Sequence, residues 1–350
     1  MGYIEDEILA LHDEFQQIPE SAGFFTAAKA VNAARASGSD VMVYFFIGAR
    51  RMGKTDFFLA LALRIYQKYG RQTMWLRNKL TEVDERKFTV DFLNDAFHFG
   101  WIAGDWKVDD VGVWDPDKNL AIKFQSLSTF SNRRGPAHPD VDLIFLDEFI
   151  PEDRRYPKGC VQGLLSLSMT VFAGREEARI FAASNPVSLA NPYFATLEIY
   201  PSSRDVTVFP DKGCLIERAK GYRKSITNES SWSKVYRAGK YSGYNDDRED
   251  RLIELVCRQP KGVSPAPYAL AIGGKFFRPY HARKFVFWRQ EAQPDGKCEI
   301  YTPEITEVTA SVMLIPPILK KNLEDCVRSN EIRFDSPNTL YSVLSIIYTV

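Results

Sequence analysis

Residues 41–69 read VMVYFFIGARRMGKTDFFLALALRIYQKY, three signals in succession. Val41 to Ile47 is a short β-rich apolar run closed by a glycine, the pattern of a strand buried in a parallel sheet. Gly48-Ala49-Arg50-Arg51-Met52-Gly53-Lys54-Thr55 then matches G-x-x-x-x-G-K-[ST]. From Asp56 to Tyr69, Phe57, Leu61, Leu63, Ile65 and Tyr66 recur at helical spacing, and Gly70 suits a helix end. Glycines let such a loop close around a phosphate chain with unblocked N–H groups. Lys54 offers charge to the β- and γ-phosphates, Thr55 a hydroxyl for Mg²⁺, and the helix N-terminus faces the anion. The bare pattern also occurs as a simple turn before a helix. Here both flanks are those the mechanism requires, so the loop predicts binding of ATP with Mg²⁺.

Outward from this stretch, Thr73–Leu76, Ala121–Phe124, Val141–Leu146 and Ala178–Ala183 read as strands and 158–173 as a helix. Alternating strands and helices predict an α/β domain with a parallel sheet covered on both faces. Leu143-Ile144-Phe145-Leu146-Asp147-Glu148 is a buried strand ending in acids. Alone, it also fits a strand ending at a solvated cap. About ninety residues after the phosphate loop, Asp147 suits the Mg²⁺ shell and Glu148 the general base for water. Arg179 to Pro186 ends in Ser-Asn-Pro. Asn185 there fits a sensor of γ-phosphate and water, or an Asn-Pro turn. Basic residues able to stabilise transition-state charge are Arg50, Arg51, Arg133, Arg134 and Arg175. Arg77 and Lys79 end the second strand and could serve nucleotide or DNA, but read first as solvated.

The 350 residues hold 45 basic and 45 acidic side chains, with 45% hydrophobic and 26% charged residues. That length fits two domains, and the balance excludes both wholesale disorder and a polycation. No apolar run approaches the ~20 residues that span a bilayer, and the N-terminus lacks a secretion-signal layout. Five scattered cysteines without a C-x-x-C pair, and four histidines without metal spacing, predict a reducing cytosol and no structural zinc. Residues 1–220 carry 26 basic and 30 acidic residues, and 221–350 carry 19 and 15. Between Arg218 and Tyr244 lie seven cations and one acid, interleaved with Tyr222, Trp232, Tyr236, Tyr241 and Tyr244. This stretch reads as a basic linker, 218–250, between an ATPase domain, 1–217, and a small α+β domain, 251–350. Residues 1 to about 38 read as a helical extension. Arg223, Lys224, Lys234 and Arg237 are the candidate nucleic-acid contacts, against a linker whose charges only keep it soluble. Further strands are expected at Arg251–Cys257, Tyr268–Ile272, Lys284–Trp288 and Cys298–Tyr301, and helices at Ile318–Val327 and Asn338–Ile347.

FFIGARRMGKT (Phe45–Thr55), LIFLDEFI (Leu143–Ile150), SNPVSLANPYF (Ser184–Phe194) and EIRFD (Glu331–Asp335) together resemble the DNA-packaging ATPases of small short-tailed bacteriophages of the phi-29 type. The resemblance implies an ASCE-type P-loop ATPase domain joined to a degenerate RNase H-like nuclease domain. It implies a homo-oligomeric ring, of five subunits, that drives double-stranded DNA into a prohead at its portal (connector) vertex in the host cytoplasm. It leaves open a structural RNA in the machine. The chain begins with about two dozen extra residues. Ala173 stands where some relatives carry an arginine, which moves the expected arginine finger to Arg175, with Arg134 beside it as a candidate. A P-loop kinase, another translocase or helicase, and a nucleotide-switched scaffold that binds nucleic acid without turnover are the competing readings.

Overall fold

The computed structural model describes residues 2–79, 93–130, 138–151, 156–157, 159–185, 191–201, 204–222, 255–294, 296–303, 305–329 and 331–348. The chain divides into two compact units. The larger begins with α1 (Tyr3–Gln17), α2 (Ala28–Ser37), β1 (Val43–Gly48), α3 (Lys54–Tyr69) and β2 (Gln72–Arg77). It continues with α4 (Asn94–His98), β3 (Lys107–Val108), β4 (Gly112–Trp114), β5 (Leu120–Ser126), α5 (Leu127–Phe130), β6 (Val141–Asp147), α6 (Cys160–Phe172) and β7 (Arg179–Ser184). Next in sequence, α7 (Pro192–Leu197) belongs to the smaller unit, and β8 (Val206–Phe209) and β9 (Cys214–Ala219) to the larger. Residues 188–200 thus group with the smaller unit, and β9 carries the larger sheet two residues beyond 217.

The larger sheet runs β3-β4-β5-β2-β6-β7-β1-β9-β8. From β5 to β9 every neighbouring pair is parallel, with antiparallel strands only at the two edges. β1, β6 and β7 are buried at every residue, as strands covered on both faces must be. α3 docks through Phe58, whose ring lies 4.4 Å from Phe145, 5.3 Å from Phe46 and 5.3 Å from Phe181. Each such buried ring contributes about 1.5–3 kcal/mol, and together they fix where α3 begins. The extension is α1 and α2, with Ile4, Ile8, Leu11 and Phe15 in the core. No helix among the described residues is long and apolar enough to cross a membrane.

The smaller unit adds β10 (Ser264–Pro265), β11 (Tyr268–Ile272), β12 (Lys275–His281), β13 (Val286–Glu291), β14 (Glu299–Thr302), β15 (Val312–Leu314), α8 (Pro317–Arg328), β16 (Ile332–Phe334) and α9 (Pro337–Tyr348). Its sheet runs β15-β14-β11-β12-β13-β16, with β10 on β12. β11, β12 and β13 form an antiparallel meander, and β14 and β15 add in parallel beside β11. α7 packs on α9, where the rings of Tyr200 and Tyr341 stack 5.3 Å apart. The strand expected at Arg251–Cys257 lies partly outside the described residues, and its described end makes one bridge, Val256 to Phe334. β12 is an unexpected central strand, because Pro279 within it reads as a break.

At the edge of the larger sheet where the strands begin, charges are paired inside the unit. Asp142, at the start of β6, receives Arg71 Nε at 2.6 Å, Arg71 Nη2 at 2.7 Å and the Tyr3 hydroxyl at 2.7 Å. Arg175 Nε pairs with it at 2.8 Å, while Arg175 Nη2 donates to the carbonyls of His138, Val141 and Val171. Burial alone would raise the Asp142 carboxyl. The hydrogen bonds from Arg71 and Tyr3 and the charges of Arg71 and Arg175 hold it below the usual carboxylate range. Nearby, buried Arg179 meets buried Glu5 at 2.6 Å. Arg175→Ala should therefore lower stability in urea unfolding by about 1.5–3 kcal/mol. A depressed carboxyl contributes stability above its unfolded pKa and loses it as pH falls through the folded one. The gap between wild type and variant should thus be full at neutral pH and narrow below about pH 4.

Candidate functional site

Ligands bind parallel sheets at the edge where the strands end. Along that edge β2 ends at Arg77, β6 at Asp147, β7 at Ser184 and β1 at Gly48. The register pairs Leu76 with Leu146, Asp147 with Ala183 and Ser184 with Ile47. β7 thus stands between the strand of the loop and the strand of the acids, about 10 Å apart at ordinary strand spacing. Asn185 leaves β7 between them and is buried.

The loop's glycines are demanded by its surroundings. A Cβ on Gly48 would lie 2.8 Å from the Ala219 Cβ and 3.1 Å from the Met52 Sδ. Gly53 takes φ +84° as the N-cap of α3, a conformation glycine adopts without penalty. Ala49 and Met52 are buried, Arg50 is half-buried and Arg51 is exposed. Lys54 Nζ donates to the carbonyls of Gly48 and Ala49, both at 2.7 Å. The ammonium therefore sits inside the curve of the loop. The start of α3 reaches the end of β6. Burial, then Asp95 through charge and hydrogen bond, then the charge of Asp147, push the Asp56 carboxyl up to about 6.

Asp147 is 5% exposed. Glu148 takes φ 55°, a left-handed conformation that costs a non-glycine residue about 1–3 kcal/mol. Two neighbours on β2 and just beyond it hold the pair. Arg77 Nη2 donates to Asp147 Oδ2 at 2.7 Å and Nη1 to Glu148 Oε2 at 2.9 Å. Asn78 Nδ2 donates to the Glu148 carbonyl at 2.7 Å. Arg77, read from sequence as solvated, is therefore part of the site, and Asn78 was not foreseen. The sequence shows both at a strand end, and the β2–β6 pairing supplies what it does not, the acidic strand alongside. The chemistry fits a nucleotide with Mg²⁺. A carboxylate and a hydroxyl are hard oxygen donors, and Mg²⁺ takes its remaining shell from water and phosphate. Among the described residues no group of three or more His, Cys, Asp or Glu is placed to hold a metal by itself.

The expected arginine finger is not among these residues. Arg175 lies at the start of β6, held by Asp142 and three carbonyls, while Asp147 ends that strand. Its guanidinium braces the fold at the opposite edge of the sheet, away from this chain's own phosphate loop. Ala173, in its left-handed C-cap conformation, ends α6. Arg133, Arg134, Arg223, Lys224, Lys234 and Arg237 lie outside the described residues.

Three comparisons bear on this geometry. A family model described as podovirus DNA encapsidation protein (Gp16) matches residues 29–241, about three-fifths of the chain. The DNA packaging proteins of Bacillus phages phi29 and PZA are each 31% identical over 168 residues, 46% of this chain and 48% of theirs. The chain thus spans about half the length of the curated relatives it matches. Among solved structures, the Phi-28 gp11 DNA packaging motor superposes with TM-score 0.67 at 16% identity, over 90% of this chain and 96% of that one. The bacteriophage Phi-29 viral genome packaging motor assembly gives 0.64 at 23% identity, over 93% and 99%. At those identities the likeness is one of fold, and it extends over both units. The family match covers the loop, the acid pair and Asn185 together, and with it the chain belongs to the podovirus DNA encapsidation protein (Gp16) family.

Proposed function

We propose that this chain is an ATP-hydrolysing motor subunit that moves double-stranded viral DNA into a preformed prohead. The observation that carries the reading is the convergence, on one sheet edge, of the Gly48–Thr55 loop, Asn185 and the Arg77-bridged pair Asp147 and Glu148. The names of the relatives, DNA packaging proteins and packaging motors, support the DNA substrate.

Phosphoryl transfer depends mostly on positioning and electrostatics. The loop amides and Lys54 would hold the phosphates. Thr55 and Asp147 would hold Mg²⁺, which when bound neutralises charge developing on the β- and γ-oxygens. Glu148 would orient water and accept its proton, and Asn185 would report the state of the γ-phosphate. Arg77 offsets the repulsion of two carboxylates at a desolvated strand end. We assign the trans-acting charge to Arg175, with Arg134 as the second candidate. That role requires a neighbouring subunit, in keeping with a homo-oligomeric ring, with the prohead portal as a further partner and a structural RNA left open. In the smaller unit, the meander β13-β12-β11 with parallel β14 and β15 supports the nuclease-like fold that the resemblance implied.

Lys54→Ala and Asp147→Ala should each lower ATP turnover, read as phosphate release, by about 10²–10³-fold. A folded Lys54→Ala protein with native turnover would overturn the nucleotide site. Glu148→Gln keeps the shape and removes the base. It should bind ATP with Mg²⁺ and lose about 10²–10⁴-fold in turnover, and native turnover would place the base elsewhere. Neutralising Arg223, Lys224, Lys234 and Arg237 together should weaken binding equally on unrelated duplexes. The slope of log affinity against log salt should fall by roughly 0.9 per lost phosphate contact, and an unchanged slope would move the DNA track away from the linker.

A further inference from the structure

The larger unit's described residues end at Tyr222, three residues past β9, the strand that flanks the start of the phosphate loop. β9 pairs Ala219 with Gly48, the first glycine of the loop. Past Ala219 the chain meets residues 24–26, which support the loop's other end. Phe24 packs where a Cβ on Gly53 would lie, at 3.3 Å. The Phe25 amide donates to the Met52 carbonyl at 2.7 Å. The Tyr222 hydroxyl lies 3.1 Å from the Thr26 carbonyl. Its ring meets Phe25 edge-on at 5.4 Å, with Lys29 Nζ 4.5 Å from its centroid. Residues 24–26 thus touch the loop on one side and Tyr222 on the other.

The same hydroxyl lies 2.9 Å from Oε1 of Glu217, a fully buried residue of β9. A phenol has one hydrogen, so it serves one of these two oxygens at a time. A neutral Glu217 carboxyl can donate to Tyr222, which leaves the Tyr222 hydrogen for Thr26. An ionised carboxylate only accepts. It takes the Tyr222 hydrogen, and the Thr26 carbonyl loses it. Burial pushes the Glu217 carboxyl up to about 7, and Asp205 adds to the rise. The Tyr222 hydrogen bond, the Lys29 charge and the Ala30 amide oppose it. Glu217 Oε2 has no hydrogen-bond partner among the described residues. From α1, His12 Nδ1 faces the same turn, 2.7 Å from Thr26 Oγ1. Folding raises the carboxyl's affinity for protons, so the neutral form prevails below about pH 7 and is lost as pH rises through that value.

We infer that Tyr222 and Glu217 are positioning residues for the phosphate loop: a neutral Glu217 sends the Tyr222 hydrogen to Thr26 and stiffens the 24–26 support beneath Met52 and Gly53, and ionisation withdraws it. Loop order then depends on how Tyr222 is seated.

The test is amide hydrogen exchange, corrected for intrinsic rates, on peptides covering 24–27 and 48–55 of the full nucleotide-free chain at pH 6 and pH 8. Wild type should exchange about 2–10-fold faster at pH 8, the size of one net hydrogen bond. Glu217→Gln, whose amide donates at every pH, should stay protected at both. Tyr222→Phe, which keeps the ring, should exchange fast at both. A second arm rests on the nucleotide reading: the KM for ATP should follow the same factor with kcat unchanged. Absence of ATP binding by wild type would sink that reading, and the exchange arm would still decide this inference. A Glu217→Gln protein with the wild-type pH response would overturn it. So would Tyr222→Phe protection equal to wild type at pH 6, or a pH response that disappears only in His12→Gln.

Discussion

β6 is buried from end to end and stops on two adjacent carboxylates, so the larger unit must compensate that charge within reach of the strand end. Lone carboxylates there would be strongly penalised by desolvation and mutual repulsion. The parallel sheet supplies the answer, since the strand beside β6 ends in Arg77, whose fork takes one oxygen from each acid. Asn78 pins the backbone in the left-handed turn that sets the second acid apart from the first. The phosphate loop follows from the same topology, two strands away on the same edge.

The two edges of the sheet handle charge differently. Where strands begin, Asp142 is matched by Arg71, Arg175 and Tyr3, and Arg179 by Glu5. These pairs join α1, β6, β7 and the residues after α6, and their role is to hold the fold. Where strands end, Lys54 bonds loop carbonyls and Arg77 bonds the acids, so the groups suited to phosphate and metal are held by contacts that a ligand can replace. The candidate site on the strand-end edge thus rests on a frame closed at the other.

Much of this was legible because buried parallel strands announce themselves as apolar runs. Val41–Ile47, Thr73–Leu76, Val141–Leu146 and Ala178–Ala183 all fall on strands of the sheet. Periodicity located α3, α8 and α9 within a few residues. Arg77 and Asn78 were obscure because their partners stand about seventy residues away, and only the β2–β6 pairing brings them together. The ion pair of Arg175 was hidden in the same way, since an arginine after a helix looks exposed until Asp142 is seen to meet it. Pro279 hid β12, and the structural weight of α1 depends on Glu5 finding Arg179 174 residues later.

The most direct measurement is steady-state phosphate release by the full chain, with ATP and Mg²⁺, with and without duplex DNA of unrelated sequences. A motor subunit should release phosphate faster when DNA is added, by the same factor for every sequence, and the stimulation should fall with salt as phosphate contacts are screened. Turnover indifferent to DNA would contradict translocation, and DNA binding without any turnover would make the chain a nucleotide-switched scaffold instead.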